Sequence, residues 1–198
     1  MKLIPQKIRL QVENADHTTG DRRENVIVHS ALLPNSIRAL IVGPSNCGKT
    51  NAMLSLLLNP NGLKFENIYI YSKSLYQPKY EYLKELIRPI KGMELYTFSA
   101  NENVITPDEA KPRSIFIFDD VICDKQSTIR DYFCMGRHKQ IDCFYLSQTY
   151  TKIPKHLIRD NANMLIIFKQ DEMNLKHIFN DHVFGDFEFS VYVEDGLG

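Results

Sequence analysis

The 198-residue chain has no tryptophan and no net charge, with Lys+Arg and Asp+Glu at 24 each. That balance excludes a strongly basic, histone-like binder, although it leaves room for a local basic surface. The four cysteines, Cys47, Cys123, Cys134 and Cys143, form no C-x-x-C pair. Neither a zinc knuckle nor a disulfide scaffold is indicated, and a reducing compartment fits best. The six histidines (His17, His29, His138, His156, His177 and His182) show no metal-ligand spacing and read as structural or surface residues. The longest apolar run, around residues 164–168, is too short to span a bilayer. Met1-Lys2-Leu3-Ile4-Pro5 lacks the apolar core of a signal peptide. No internal repeat or low-complexity tract is present. These absences predict a soluble intracellular protein with no membrane partner.

Apolar residues make up 43% and charged residues 24%, enough for a buried core in one domain. Ile8, Leu10 and Val12 alternate with polar residues, the period of a half-buried strand, and a polar linker follows to residue 25. From Val26 the pattern becomes strand, helix, strand, helix. Strands are predicted over residues 37–42, 67–71, 94–98, 114–118, 141–146 and 164–168. Helices are predicted over 51–58, 79–88, 126–135, 154–160 and 171–179. Pro89 stops the second helix and Pro154 opens the fourth. Such alternation indicates an α/β fold: a mostly parallel central sheet with helices on both faces. Residues 184–198 form a tail in which Phe187, Phe189, Val191 and Val193 alternate as in an edge strand. The division is therefore 1–25, 26–183 for the main domain, and 184–198.

Gly43-Pro44-Ser45-Asn46-Cys47-Gly48-Lys49-Thr50 satisfies G-x-x-x-x-G-K-[ST] at every fixed position. It follows an apolar strand and opens an apolar helix, the context a phosphate-binding P-loop requires. Backbone N–H groups of the loop and the helix N-terminus cradle phosphate. Lys49 is expected to reach the β- and γ-phosphates of ATP, and the Thr50 hydroxyl to coordinate Mg²⁺.

Ser114-Ile115-Phe116-Ile117-Phe118-Asp119-Asp120 is a strand ending in two acids. In a parallel sheet its tip lies beside the P-loop. Asp119, the first polar residue after the run, is assigned to the Mg²⁺ shell, and Asp120 to orienting or deprotonating water. A later strand ends in Leu146-Ser147-Gln148. In P-loop ATPases with an additional strand between the P-loop strand and the acidic strand, a polar residue at its tip faces the γ-phosphate. Gln148 fits that sensor position, since its amide both donates and accepts.

With these three motifs in order, the chain resembles the DNA-packaging ATPases of large double-stranded DNA viruses and of Maverick/Polinton elements, within the FtsK/HerA superfamily. The resemblance rests on residues 40–50, on Phe116-Ile117-Phe118-Asp119-Asp120, on Gly136-Arg137-His138-Lys139 leading to Tyr145-Leu146-Ser147-Gln148, and on Ile158-Arg159-Asp160-Asn161-Ala162-Asn163. It runs from about Val26 to Phe179. It implies a RecA-like P-loop ATPase core of the additional-strand type and ATP hydrolysis in a hexameric or pentameric ring. It also implies translocation of double-stranded DNA into a capsid, with a capsid or portal-like vertex protein as partner. The location implied is host cytoplasm or nucleus, with association to the virion. Against that resemblance, a C-terminal extension present in some relatives is expected to be absent or minimal after the last helix.

Ring ATPases complete their site with an arginine from the neighbouring subunit. Arg159 and Arg137 both precede a parallel strand, at the edge opposite their own P-loop. Both are therefore candidates for action in trans, with Arg159 the first choice. Lys84, Arg88 and Lys91 share a helix face, with Lys73 and Lys79 nearby and Tyr71, Tyr76, Tyr80 and Tyr82 interleaved. Such a face can track a phosphate backbone, but Glu81 and Glu85 dilute it, and a solvated helix face is the simpler reading. Two other functions share the P-loop. One is a nucleotide or small-molecule kinase, which would carry an Arg-rich lid that is not seen between Asp120 and Tyr150. The other is a helicase-like DNA pump of the same superfamily. A non-catalytic scaffold is disfavoured by intact Lys49, Asp119 and Asp120.

Overall fold

Strands whose successive residues are all apolar must be covered on both faces, and this requirement organises the molecule. The computed structural model describes residues 29–100 and 103–183. In chain order the elements are β1 (Arg38–Val42), α1 (Lys49–Leu58), β2 (Asn67–Ser72), α2 (Pro78–Ile87), β3 (Glu94–Phe98), β4 (Ser114–Asp119), α3 (Ser127–Met135), β5 (Ile141–Ser147), β6 (Met164–Ile167) and α4 (Glu172–His182). The six strands lie in the order β3-β2-β4-β5-β1-β6, and every neighbouring pair is parallel. This is the expected RecA-like arrangement. β5 pairs with β1 on one side and β4 on the other, so it is the strand inserted between the P-loop strand and the acidic strand.

Alternation sorts the side chains. Ala39, Ile41, Ile68, Ile70, Ile115, Ile117, Phe144 and Leu146 pack with α1 and α2. Leu40, Val42, Tyr69, Tyr71, Phe116, Phe118, Cys143 and Tyr145 pack with α3 and Ile178 of α4. The second face is aromatic. Tyr69 stacks on Tyr96 at 4.6 Å and on Phe116 at 5.4 Å between ring centroids, and Tyr132 of α3 tilts onto Phe116 at 4.4 Å. Aromatic pairs of this kind contribute about 0.5–1.5 kcal/mol beyond their buried area.

The N-terminal edge of the sheet is held by polar clamps. His29 is buried; its Nδ1 accepts from the Lys64 N–H at 3.0 Å, so Nε2 carries the proton donated to Asp142 at 2.8 Å. The other Asp142 oxygen accepts from the Ile37 N–H at 2.7 Å. Asn163 accepts from the Arg38 N–H at 2.8 Å and donates to the Ser36 carbonyl at 2.7 Å, while Arg38 Nε donates to the Asn161 carbonyl at 2.6 Å. The Asn161-Ala162-Asn163 run thus docks the entry to β6 against β1.

One predicted element differs. Residues 154–160 form turns followed by a short 3-10 turn, Arg159–Asn161, and not a helix. Leu157 has a left-handed φ of 69°, which an α-helix does not allow. Arg159 and Asp160 instead donate their N–H groups five residues back, to Pro154 and Lys155. The predicted strand at residues 8–12, the linker and the edge strand within 184–198 lie outside the described residues.

Candidate active site

All six strands run the same way, so the residues just past their C-terminal ends gather at one edge. Val42 ends β1, and the ladder continues one residue further on each side. The Gly43 N–H donates to the Ser147 carbonyl at 3.1 Å, and the Phe168 N–H to the Val42 carbonyl at 2.8 Å. Gly43 therefore sits wedged between the next strands' exits. A Cβ there would lie 2.5 Å from both Cys47 Sγ and Phe168 Cβ. Gly48 caps α1 with φ of 105°, a conformation that side chains disfavour, and Asn46 sits at φ 61°, which asparagine tolerates. No side chain caps α1, so its first N–H groups are open to an anion.

The loop leads into an open polar cleft. Ser45, Asn46, Gly48, Lys49 and Thr50 line it from the P-loop, Asp119 and Asp120 from β4, and Leu146, Ser147 and Gln148 from β5. The three sequence motifs thus meet in one space. Lys49 Nζ donates to the loop's own carbonyls, Gly43 at 2.7 Å and Pro44 at 2.8 Å. Phosphate oxygens would replace these contacts when nucleotide enters.

The two acids differ in environment. Asp119 continues the alternation of Ile115 and Ile117, so it points toward α1 and α2. It is 7% exposed, and its Oδ2 accepts a short hydrogen bond from the Tyr80 hydroxyl of α2. Burial pushes the Asp119 carboxyl above the usual range. The Tyr80 hydrogen bond opposes this, the Asp120 charge adds to it, and Lys49 and Lys79 oppose it. Burial, and then the Asp119 charge, push the Tyr80 hydroxyl far up, so Tyr80 remains a donor. Asp120 leaves the strand through φ 55° and is exposed. Gln148 Nε2 donates to Asp120 Oδ1 across a long 3.4 Å. Thr50 and Asp119 offer only oxygen donors, and a cleft with few protein ligands suits Mg²⁺, which keeps water and takes phosphate oxygens.

Four contributors were not assigned to the cleft from the sequence. Gln77 and Lys79, at the start of α2, line the cleft, and buried Tyr80 holds Asp119. Phe168 backs the loop from β6. The only signal for the α2 residues was that this helix begins at the same sheet edge as the P-loop. The basic face of α2 fits the solvated reading: Tyr71 and Tyr80 are core residues, Lys73 pairs with Asp124 and Lys84 with Glu81.

The arginines lie elsewhere. Arg137 is exposed on the 3-10 turn Gly136–Lys139 that precedes β5. Gly136 allows that turn to pass close to β5, since a Cβ would lie 2.9 Å from the Ile141 carbonyl. Action in trans needs Arg159 on an exposed surface, and the structure does not place it there. Its side chain is 11% exposed, its Nη1 donates to Asp181 of α4 at 2.8 Å, and its guanidinium lies 4.8 Å from the Tyr150 ring centroid. Tyr150 and Lys155 bond the same carboxylate. The partner is Asp181, because the turn through Leu157 carries Arg159 toward the end of α4.

Residues 24–185 match the family model described as Poxvirus A32 protein. No curated protein matches the chain. Among solved structures, the genome packaging NTPase B204 from Sulfolobus turreted icosahedral virus 2, in complex with ATP-gammaS, is similar over 76% of this chain and 83% of its own, with 14% identity and a TM-score of 0.51. The cytoplasmic domain of EssC is similar over 82% of this chain and 38% of its own, with 13% identity and a TM-score of 0.52. Those two likenesses are of fold. The family match covers most of the chain, including every strand of the sheet and every residue of the cleft, and the chain belongs to the poxvirus A32 protein family of viral packaging ATPases.

Proposed function

We infer that this chain is an ATP-hydrolysing motor that drives double-stranded viral DNA into a capsid, working as a ring of identical subunits. The single observation that carries the reading is the insertion of β5 between β1 and β4. It brings a polar tip, Gln148, to the same cleft as the P-loop and the acidic pair.

The loop N–H groups and Lys49 hold the β- and γ-phosphates. Thr50 and Asp119 would hold Mg²⁺, which supplies charge neutralisation for the departing ADP. Asp120, exposed and linked to Gln148, orients the attacking water and accepts its proton. Gln148 exchanges its bond to Asp120 for one to the γ-phosphate or the water, and so reports which nucleotide state is present. Neither Arg137 nor Arg159 lines the cleft, and among the described residues no arginine does. Arg137, exposed near the N-terminal edge of the sheet, is the better-placed donor to a neighbour's cleft. The vertex through which DNA enters is the expected partner. Among the described residues no helix is long and apolar enough to cross a membrane.

The test is ATP turnover with and without duplex DNA, with Lys49→Ala as the control. Turnover that duplex DNA stimulates and Lys49→Ala abolishes is the expected result. Phosphate transferred to a small acceptor, without DNA stimulation, would make the protein a kinase.

A further inference from the structure

We propose that Lys79, at the second position of α2, is a phosphate-binding residue of the ATP site, supplying its own chain's cleft with a second positive side chain at the terminal phosphate. This rests on the nucleotide reading above. Pro78 opens α2, with Gln77 as its N-cap, and the helix start faces the cleft. Among the described residues, the cationic side chains that line that cleft are Lys49 and Lys79. Lys49 is occupied by the Gly43 and Pro44 carbonyls. Lys79 is half-buried and, among the described residues, makes no hydrogen bond or ion pair. It is near enough to Asp119 for its charge to act on that carboxyl.

The charges argue for a ligand. Asp119 and Asp120 offset the two lysines, so the empty cleft is balanced. Mg·ATP would enter as a dianion, and the terminal phosphate, which carries one more ionisable oxygen than the α- and β-phosphates, holds the largest share of the nucleotide's negative charge. Lys79 shares the cleft with Asp119, Asp120 and Gln148, the residues past β4 and β5 where that phosphate would sit. A flexible lysine without a partner, on a helix whose next residue is fixed by the Tyr80–Asp119 bond, reaches in without moving its backbone. Charge-assisted contacts of this kind are strong because the cleft partly excludes water.

The experiment measures Mg·ATP, Mg·ADP and AMP affinity for wild type, Lys79→Met, Lys79→Gln and Lys79→Arg, with melting temperatures recorded without nucleotide. Lys79→Met and Lys79→Gln should weaken ATP roughly ten- to hundredfold. ADP and AMP should change little, and Lys79→Arg should recover most of the preference for ATP. Melting temperatures should match wild type, because among the described residues Lys79 makes no hydrogen bond or ion pair. Wild type that binds no ATP would overturn the ATPase reading, and this role with it. Wild type that binds ATP, with both neutral variants binding it equally well, would overturn the role of Lys79 alone. Equal weakening of all three nucleotides would also overturn it, since the contact would then not be to the terminal phosphate.

Discussion

Tyr80 donates a hydrogen bond to Asp119 although the two lie on α2 and β4, and both are buried. The bond fixes one oxygen of the carboxylate assigned to Mg²⁺ and leaves the other to the cleft. Tyr80→Phe should leave that buried oxygen without its donor, costing about 1–3 kcal/mol of stability. It should also raise the Mg²⁺ concentration needed for half-maximal turnover, because the carboxylate loses both its orientation and a contact that favours its charged form. Urea unfolding and a Mg²⁺ titration read the two effects separately. A variant with unchanged Mg²⁺ dependence would reduce Tyr80 to a packing residue.

Asp120 is exposed and its carboxylate accepts from Gln148, so Asp120→Asn should fold normally and bind Mg·ATP. Loss of the base should slow hydrolysis on the order of 10²–10⁴-fold. Single-turnover hydrolysis beside a binding measurement checks this. A collapse of nucleotide affinity with hydrolysis would reverse the roles given to Asp119 and Asp120.

Gly43 has no room for a side chain between Cys47 and Phe168. Gly43→Ala should push the loop out of place, cost about 1–3 kcal/mol as an overpacked site, and weaken ATP binding. Gly43→Ala combined with Cys47→Ala should regain part of the binding, since the Cys47 Sγ, one of the two obstructing atoms, is then removed. Melting temperature and ATP titration of both proteins test it. Equal ATP affinity in wild type and Gly43→Ala would show that the loop yields freely.

The two arginines should separate by phenotype. Arg159→Ala strips Asp181 of a buried partner and should lower the melting temperature, whereas Arg137→Ala should leave it unchanged and slow hydrolysis. Mixing Arg137→Ala with Asp120→Asn should restore some activity, because a ring can then set an intact Arg137 beside an intact Asp120. The Asp181 cluster also sets a pH dependence. Burial pushes Asp181 up, but the Tyr150 and Lys155 hydrogen bonds and the Arg159 and Lys155 charges outweigh it and hold the carboxyl below the usual range. Its folded value is therefore below its unfolded one, so its contribution is present above about pH 4 and is lost as pH falls through the folded value. Asp181→Asn should melt lower than wild type at pH 7, and the gap should close in acid. A gap independent of pH, or no rescue in the mixture, would count against the respective role.

Much of this protein was legible in its residues. Gly43 to Thr50 specify their turn and helix start locally, through two glycines and the helix that follows. The apolar runs at 68–71 and 115–118 had to be strands covered on both sides, since no one-sided sheet could hide them. Asp119 and Asp120 then had to fall at the P-loop edge, because parallel strands end together. The Tyr80–Asp119 bond, the entry of Lys79 into the cleft and the capture of Arg159 by Asp181 were decided only by the tertiary structure. Each joins residues from separate elements, and the packing angle of α2 or α4 and a single left-handed turn at Leu157 set which side chains meet. Local pattern records which face an element buries, but the partner it buries that face against is chosen when the whole sheet is assembled.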